Sequence, residues 1–234
     1  MMTPDKSFDV IVIGGGAIGA SSAYQLAKQG ANVALLEEFD LNTQASGRNA
    51  GSLHGQIQYE PFEELGIGWA KQFLHGLSIL ADSLEIWKGL SDELGVDLEV
   101  SSNGGLMIAE NETNLRHLEE KVRLENSIGI DSRMLSRSEL QEKAPYISAK
   151  MVGAAFCPIE GKANPLVVAP AFADAARRHG AVISTRTEVL EIAKNSQGFT
   201  ISTSAGQFRG AKVLITANAG IPKLTAGLGK RIPI

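Results

Sequence analysis

A six-residue run near the start of the chain carries the spacing of a phosphate-binding loop. In Gly14-Gly15-Gly16-Ala17-Ile18-Gly19, the G-x-G-x-x-G positions are Gly14, Gly16 and Gly19. Val10-Ile11-Val12-Ile13, apolar and β-branched, comes immediately before, as a strand buried on both faces of a parallel sheet would. A helical stretch from Ala20 to Gln29 follows, with Gly30 as its C′ glycine. A second strand, Asn32 to Leu36, ends on Glu37. Each residue type has a task here. Gly14 permits the tight turn out of the strand, Gly16 lets a pyrophosphate approach the backbone, and Gly19 lets the helix pack on the sheet. The helix N-terminus offers free N–H groups and partial positive charge to phosphates. Glu37, 18 residues after Gly19, can accept hydrogen bonds from a ribose hydroxyl pair and would repel a 2′-phosphate. Gly15, Ala17 and Ile18 within the loop, and Glu38 beside the acid, complete the candidate contacts. Strand, loop, helix and acid together point to a dinucleotide.

Two dinucleotide classes share this fingerprint. In a nicotinamide-type doubly wound domain, the second strand soon leads to a helix and a third strand. Residues 40 to 58 are small and polar instead, through Asn42-Thr43-Gln44-Ala45-Ser46-Gly47-Arg48-Asn49-Ala50-Gly51-Ser52. By composition alone this stretch reads equally as an exposed loop or as a second contact zone for a long cofactor such as FAD. The runs GGGAIGASSAYQLAKQGANVALLEE and ASGRNAGSLHGQ resemble the D-amino-acid oxidase and glycine/sarcosine oxidase superfamily. Within it, the similarity is greatest to the β-subunit group of opine oxidases, hydroxyproline dehydrogenases and hydrogen cyanide synthase.

The resemblance implies FAD as cofactor. It implies an α/β fold, in which an FAD-binding Rossmann-like domain of the glutathione-reductase type carries an inserted α+β substrate domain, incomplete here. It implies cofactor contacts at Ser46, Arg48, Asn49, Gly51 and Leu53. It places His54 and Gln56 near the flavin, facing the substrate, as candidate catalytic residues. Val189, Ala217 and Gly220 match later family positions that meet the adenine and pass near the ADP.

The elements that must position these residues are less specific. Trp69, Phe73, Leu77, Leu80, Leu84, Trp87 and Leu94 form a core-facing stripe on one helix over 66 to 94. A strand over 104 to 109 precedes a polar helix over 112 to 127 that reads as a solvated face. Ser136 and Glu139 have capping-box spacing. Asn164, Pro165 and Gly180 bracket a helix over 166 to 179. His75, His117 and His179 fall in helices and read as structural or surface residues. Strands follow over 182 to 184 and 188 to 192, then a hairpin of 199 to 203 with 207 to 209, and a separate strand over 212 to 216. The expected organisation is an FAD-binding domain over 7 to 80 and 161 to 222, a substrate-domain portion over 81 to 160, and the start of a missing region over 223 to 234.

The 234 residues are 44% apolar and 21% charged, with net charge -4. That is ordinary for a globular protein with a sizeable core, and it lacks the basic surplus of a nucleic-acid binder. The lone Cys157 cannot form an intrachain disulfide or anchor a metal cluster by sulfur alone. It reads as a small buried residue, with a flavin link or reactive thiol as the alternative, and points to a cytoplasmic protein. The apolar start at Phe8 lacks a signal peptide's basic lead, since Asp5 and Lys6 cancel. No run approaches the roughly 18 to 20 apolar residues of a membrane span, and peripheral attachment stays open.

Carried over from the family, the expected reaction oxidises the C–N bond of an amino acid, opine or secondary amine. Hydride would pass to flavin N5 and the imine would be hydrolysed. Oxygen, a quinone or an iron–sulfur partner subunit would take the electrons. His54 is a candidate to deprotonate the amine, and a structural histidine beneath the cofactor is the competing reading. Gln56 would orient the substrate or a flavin carbonyl. The superfamily's later substrate-sheet strands, its Gly-rich turn at the flavin pyrimidine and its carboxylate-holding arginine or tyrosine have no counterpart before Ile234. The expectation is therefore a truncated chain, weak or inactive alone, with lowered FAD affinity. A non-catalytic FAD-binding fragment or subunit, and an NAD-linked dehydrogenase, are the other readings.

Overall fold

The structure, a computed structural model, describes residues 7–233; Asp5, Lys6 and Ile234 lie outside the described residues. The first elements along the chain are β1 (Ser7–Ile13), α1 (Ala17–Lys28), β2 (Val33–Leu36), β3 (Ser52–Leu53), α2 (Tyr59–Leu94), β4 (Gly105–Ala109), α3 (Glu112–Asn126), β5 (Arg133–Ser136) and α4 (Arg137–Lys143). Then come β6 (Gly153–Cys157), β7 (Gly161–Lys162), α5 (Pro165–Arg178), β8 (Val182–Ser184), β9 (Val189–Asn195), β10 (Gly198–Thr203), β11 (Gly206–Ile215) and α6 (Ile221–Ala226). They form two compact units, Met1–Ala50 with Asn164–Ile234, and Gly51–Ala163.

The first unit is built on a six-stranded sheet in the order β8-β2-β1-β11-β10-β9. β8, β2, β1 and β11 run parallel, and β9, β10 and β11 form an antiparallel meander. Ile11, Val12, Ala34 and Leu35 are fully buried, as the unbroken apolar runs of β1 and β2 require. α1 packs against α5 through small residues, with Ala20, Ala23, Ala169, Ala173 and Ala176 fully buried. The helix ends follow their sequence signals. The Asn164 side chain accepts from Leu166 N–H at 2.9 Å, Pro165 opens α5, and Gly180 takes φ 91° beyond its end. The hairpin and the strand after it are one continuous strand, β11, where the sequence suggested a break. Gly210 sits inside it because a Cβ there would lie 2.9 Å from Ile11 Cγ1, so glycine lets β11 lie close to β1.

The second unit holds a three-stranded antiparallel sheet, β4-β6-β5, and the short pair β3-β7. β5 and β6 carry little sequence signal. All five residues of β6, Gly153-Ala154-Ala155-Phe156-Cys157, are buried, so no alternation marks it. α2 starts at Tyr59, before the expected 66, and Gly66, at φ 72°, joins two helical pieces across a kink. Phe62, Ala70 and Leu77 on α2 pack with Ile57, Ile130 and Cys157, which places the whole helix in the second unit. The boundary thus falls at 50/51 rather than 80/81. Ser136 and Glu139 make both bonds of the capping box.

α3 is not merely a solvated face. Leu118, Lys121, Val122 and Glu125 are buried, and the Lys121 and Glu125 side chains are 0% exposed. At the start of α2, Tyr59 donates to Glu63 and accepts from Asn114 Nδ2, and Glu63 also meets His117 Nδ1 at 3.2 Å. Burial, then the Glu63 carboxylate, push the Tyr59 phenol up to about 12. The unfolded phenol ionises near pH 10. Tyr59 therefore stabilises the fold fully below about pH 10, and that contribution is lost as pH rises towards about 12. Ultraviolet titration of wild type against Tyr59→Phe should show one phenolate absent at pH 11 in the folded wild type and released by urea.

Candidate functional site

A cleft of about 740 Å³ opens in the first unit at the C-terminal ends of β1, β2 and β11. The glycine loop between β1 and α1 forms its floor. Gly14 takes φ 105°, and a Cβ on it would sit 2.8 Å from the Thr216 carbonyl oxygen. A Cβ on Gly19 would overlap the Gly14 carbonyl, so α1 approaches β1 only with glycine there. Gly16 is the N-cap of α1 and lends no side chain to it. Ser46 does so from a distance: its Oγ accepts Ala17 N–H at 3.0 Å. A Cβ on Gly16 would lie 2.7 Å from that Oγ.

Glu37 closes the loop from the other side. Its Oε2 accepts from Gly15 N–H at 2.6 Å and its Oε1 from Phe39 N–H at 2.9 Å. The acid read as a ribose ligand thus also shapes the loop, with lone pairs left on both oxygens. Among the other sequence-derived candidates, Ala17, Ile18, Glu38, Val189, Ala217 and Gly220 line the cleft together with Gly14, Gly16, Glu37 and Ser46. Gly15 is buried behind the lining, where a Cβ would meet Leu41 Cδ2 at 2.8 Å. Arg48 and Asn49 are exposed outside the lining, and the Asn49 amide donates to Ala45 O and Ser46 O.

The sequence reading missed Thr216. Its hydroxyl lies 3.0 Å from both the Ile13 and the Gly14 carbonyls and ties β11 to the loop. Only the parallel pairing of β11 with β1, across about 200 residues of chain, reveals it. Two ion pairs flank the cleft. Arg186 grips Asp40 through two bonds and holds its carboxyl below the usual range, and Lys223 meets Glu188 Oε1 at 3.0 Å. Asp40 and Glu188 therefore have basic partners at the cleft.

Gly51, Leu53, His54 and Gln56 belong to the second unit. Leu53 pairs with Gly161 across β3 and β7. The His54 side chain is 59% exposed, with Nδ1 3.7 Å from Glu160 Oε1. Gln56 is 2% exposed, its Nε2 donates to Glu160 Oε2, and its Oε1 accepts from Lys121 Nζ, both at 2.7 Å. With both ends engaged in the interior, it can act on a ligand only through its neighbours. Cys157 is buried, with its Sγ 3.6 Å from Gly55 O, and burial pushes its thiol up. That is the character of a structural cysteine.

Residues 9–234 match the family described as FAD dependent oxidoreductase, DAO. The chain belongs to that family. FAD is the cofactor of this DAO family, which displaces the NAD reading. Among its members, the glycine oxidase of Geobacillus kaustophilus is 28% identical over 228 residues, covering 97% of this chain and 59% of the relative. The crystal structure of glycine oxidase from that organism superposes with a TM-score of 0.84, covering 95% of this chain and 58% of that one. The beta subunit of sarcosine oxidase from an Arthrobacter species is 30% identical, covering 99% and 56%. The B subunit of opine oxidase from Rhizobium meliloti is 26% identical, covering 97% and 60%. The chain thus spans 56 to 60% of the length of these curated DAO relatives. Among the described residues, no helix is long and apolar enough to cross a membrane.

Proposed function

We propose that the cleft of the first unit holds the ADP half of FAD, and that the chain is the FAD-binding portion of an enzyme oxidising the C–N bond of an amino acid or amine. The arrangement of glycine loop, Ser46 and Glu37 around one cleft carries this reading. Ser46 Oγ accepts Ala17 N–H and keeps its own proton to donate to a phosphate oxygen. Gly16 has no Cβ to hold a phosphate off the first turn of α1, whose N–H groups favour negative charge. Glu37 has lone pairs left for a ribose hydroxyl pair, and Glu37 and Glu38 together repel a ribose carrying a phosphate. Ile18 and Phe39, 71% and 45% exposed, give the cleft apolar cover.

The substrate class comes from the relatives. Glycine, sarcosine and opines, in the names of the three proteins, share an amine nitrogen on a carbon beside a carboxylate. Bound flavin supplies a two-electron acceptor for the hydride leaving that carbon. His54, exposed at the end of β3, is this chain's candidate to take the amine proton. A complementary or electron-accepting subunit is part of the proposal, because two of the relatives are named as subunits. A second reading, a non-catalytic FAD-binding fragment or subunit of a larger complex, draws on the two relatives that are named as subunits.

The purified chain should absorb near ~370 and ~450 nm and release FAD on heating. A chain that stays colourless after incubation with FAD overturns the cofactor proposal. Amine-dependent dye reduction then separates the enzyme from the non-catalytic subunit.

A further inference from the structure

The second unit contains a buried polar cluster that the cleft does not use. Glu160, with its side chain 11% exposed, follows β6. Its Oε1 accepts Gly55 N–H at 2.8 Å and its Oε2 accepts Gln56 Nε2 at 2.7 Å. Gln56 Oε1 accepts from Lys121 Nζ, and Lys121 pairs with Glu125 at 2.6 Å. Glu125 Oε1 accepts Ile57 N–H at 2.8 Å. Two carboxylates and one ammonium thus converge on four consecutive residues, 54 to 57. Space is reserved for this: a Cβ on Gly105 would overlap Glu160 Oε2. Burying three charges has a large desolvation penalty, and a fixed segment is what this cluster obtains in return.

The charges do not cancel within the cluster. Lys121 is matched by Glu125, and the basic group beside Glu160 is His54, with Nδ1 3.7 Å away. That distance exceeds a hydrogen bond, and it makes Nδ1 the ring nitrogen within ion-pair reach of the carboxylate. A negative charge beside Nδ1 favours the proton there and leaves Nε2 with its lone pair free to accept a proton.

We propose that Glu160 is a positioning residue for His54. It anchors the segment through Gly55 and Gln56, and its carboxylate selects the Nδ1–H tautomer. Gln56, Lys121 and Glu125 hold Glu160 and the segment in register. This rests on the proposed function, in which His54 serves as the proton acceptor.

The test is nitrogen NMR of the full chain with labelled histidine, at alkaline pH where an ordinary imidazole is neutral. His54→Asn identifies the His54 signals among the four histidines. Wild-type His54 should be mainly Nδ1–H. E160Q should shift it to Nε2–H, and Gly55 amide exchange should quicken ~10-fold, as the loss of one charge-assisted hydrogen bond allows. The swap E160Q/Q56E keeps every hydrogen bond with one direction reversed, and moves the charge from His54 to Lys121. It should restore Gly55 protection and leave His54 as Nε2–H. If E160Q does not fold, the swap carries the test alone. An Nε2–H tautomer in wild type, the same tautomer in wild type and either variant, or unchanged Gly55 exchange in E160Q overturns the proposal. FAD content of the same samples keeps the two readings apart. Colourless protein showing these shifts removes the cofactor reading and leaves the role of Glu160 standing.

Discussion

Gly16→Ala is expected to cost the chain its FAD while both units stay folded. Gly16 has φ -71° and ψ -174°, a conformation any residue adopts, so alanine brings no backbone strain. The new Cβ would meet Ser46 Oγ at 2.7 Å and Ser46 Cβ at 3.7 Å. The serine can rotate away, which removes the cap on Ala17 N–H and costs ~1 kcal/mol of stability. The effect on the ligand is larger. The methyl group occupies the approach of a phosphate to the first turn of α1, where each charge-assisted hydrogen bond contributes ~1.5–3 kcal/mol. Loss of two such bonds weakens FAD binding by ~100-fold or more. Gly19→Ala differs in kind: its Cβ overlaps the Gly14 carbonyl and would lie 2.6 Å from Thr216 Oγ, so stability and FAD should fall together. Calorimetric FAD titration beside thermal melts distinguishes the two. A G16A chain with wild-type affinity would mean that no pyrophosphate lies on this loop.

The contrast between these glycines shows what a sequence can reveal. The β1–loop–α1–β2 unit is local: its strand, loop, helix and acid occupy Val10 to Glu37, and spacing alone assigns their tasks. Glu37 was legible as a ligand. Its bond to Gly15 N–H was not, because that depends on where β2 ends relative to the loop. Thr216 and Ser46 act on the loop from 202 and 29 residues away, and no local pattern announces them. The second unit was harder to read. β6 is a run of buried residues, small except for Phe156, between two short partners, so period-2 alternation never appears. The pair Lys121 and Glu125 has the i, i+4 spacing of an exposed helix face, and the polar composition of α3 likewise reads as a solvated face. Burial was decided by Gln56 and Ile57, which reach α3 from 65 and 68 residues away. For the same reason Gln56, taken as substrate-facing by resemblance, lies in the interior.

Lys121→Met should be among the most destabilising single changes in the second unit. Lys121 and Glu125 are 0% exposed and 2.6 Å apart, and methionine removes the ammonium while keeping most of the volume. Glu125 would then be a buried carboxylate holding only Ile57 N–H, since its Oε2 has no partner even in the wild type. Breaking one side of such a pair costs ~3–5 kcal/mol, a large share of a domain's total stability. The penalty belongs mainly to the stranded charge, which makes a second substitution informative. In K121M/E125M both charges are gone, and a packed apolar pair replaces them. Much of the loss should return, because buried pairs and apolar isosteres are often close in stability. Recovery should stop short of wild type by about 1 kcal/mol for each group left unsatisfied, here Ile57 N–H and Gln56 Oε1. Urea unfolding of the three proteins measures both steps. A single variant within about 1 kcal/mol of wild type would show that water reaches the pair. A double variant no better than the single would place the cost in the anchoring of residues 56 and 57 rather than in the charge, and amide exchange at that segment should then quicken in both variants alike.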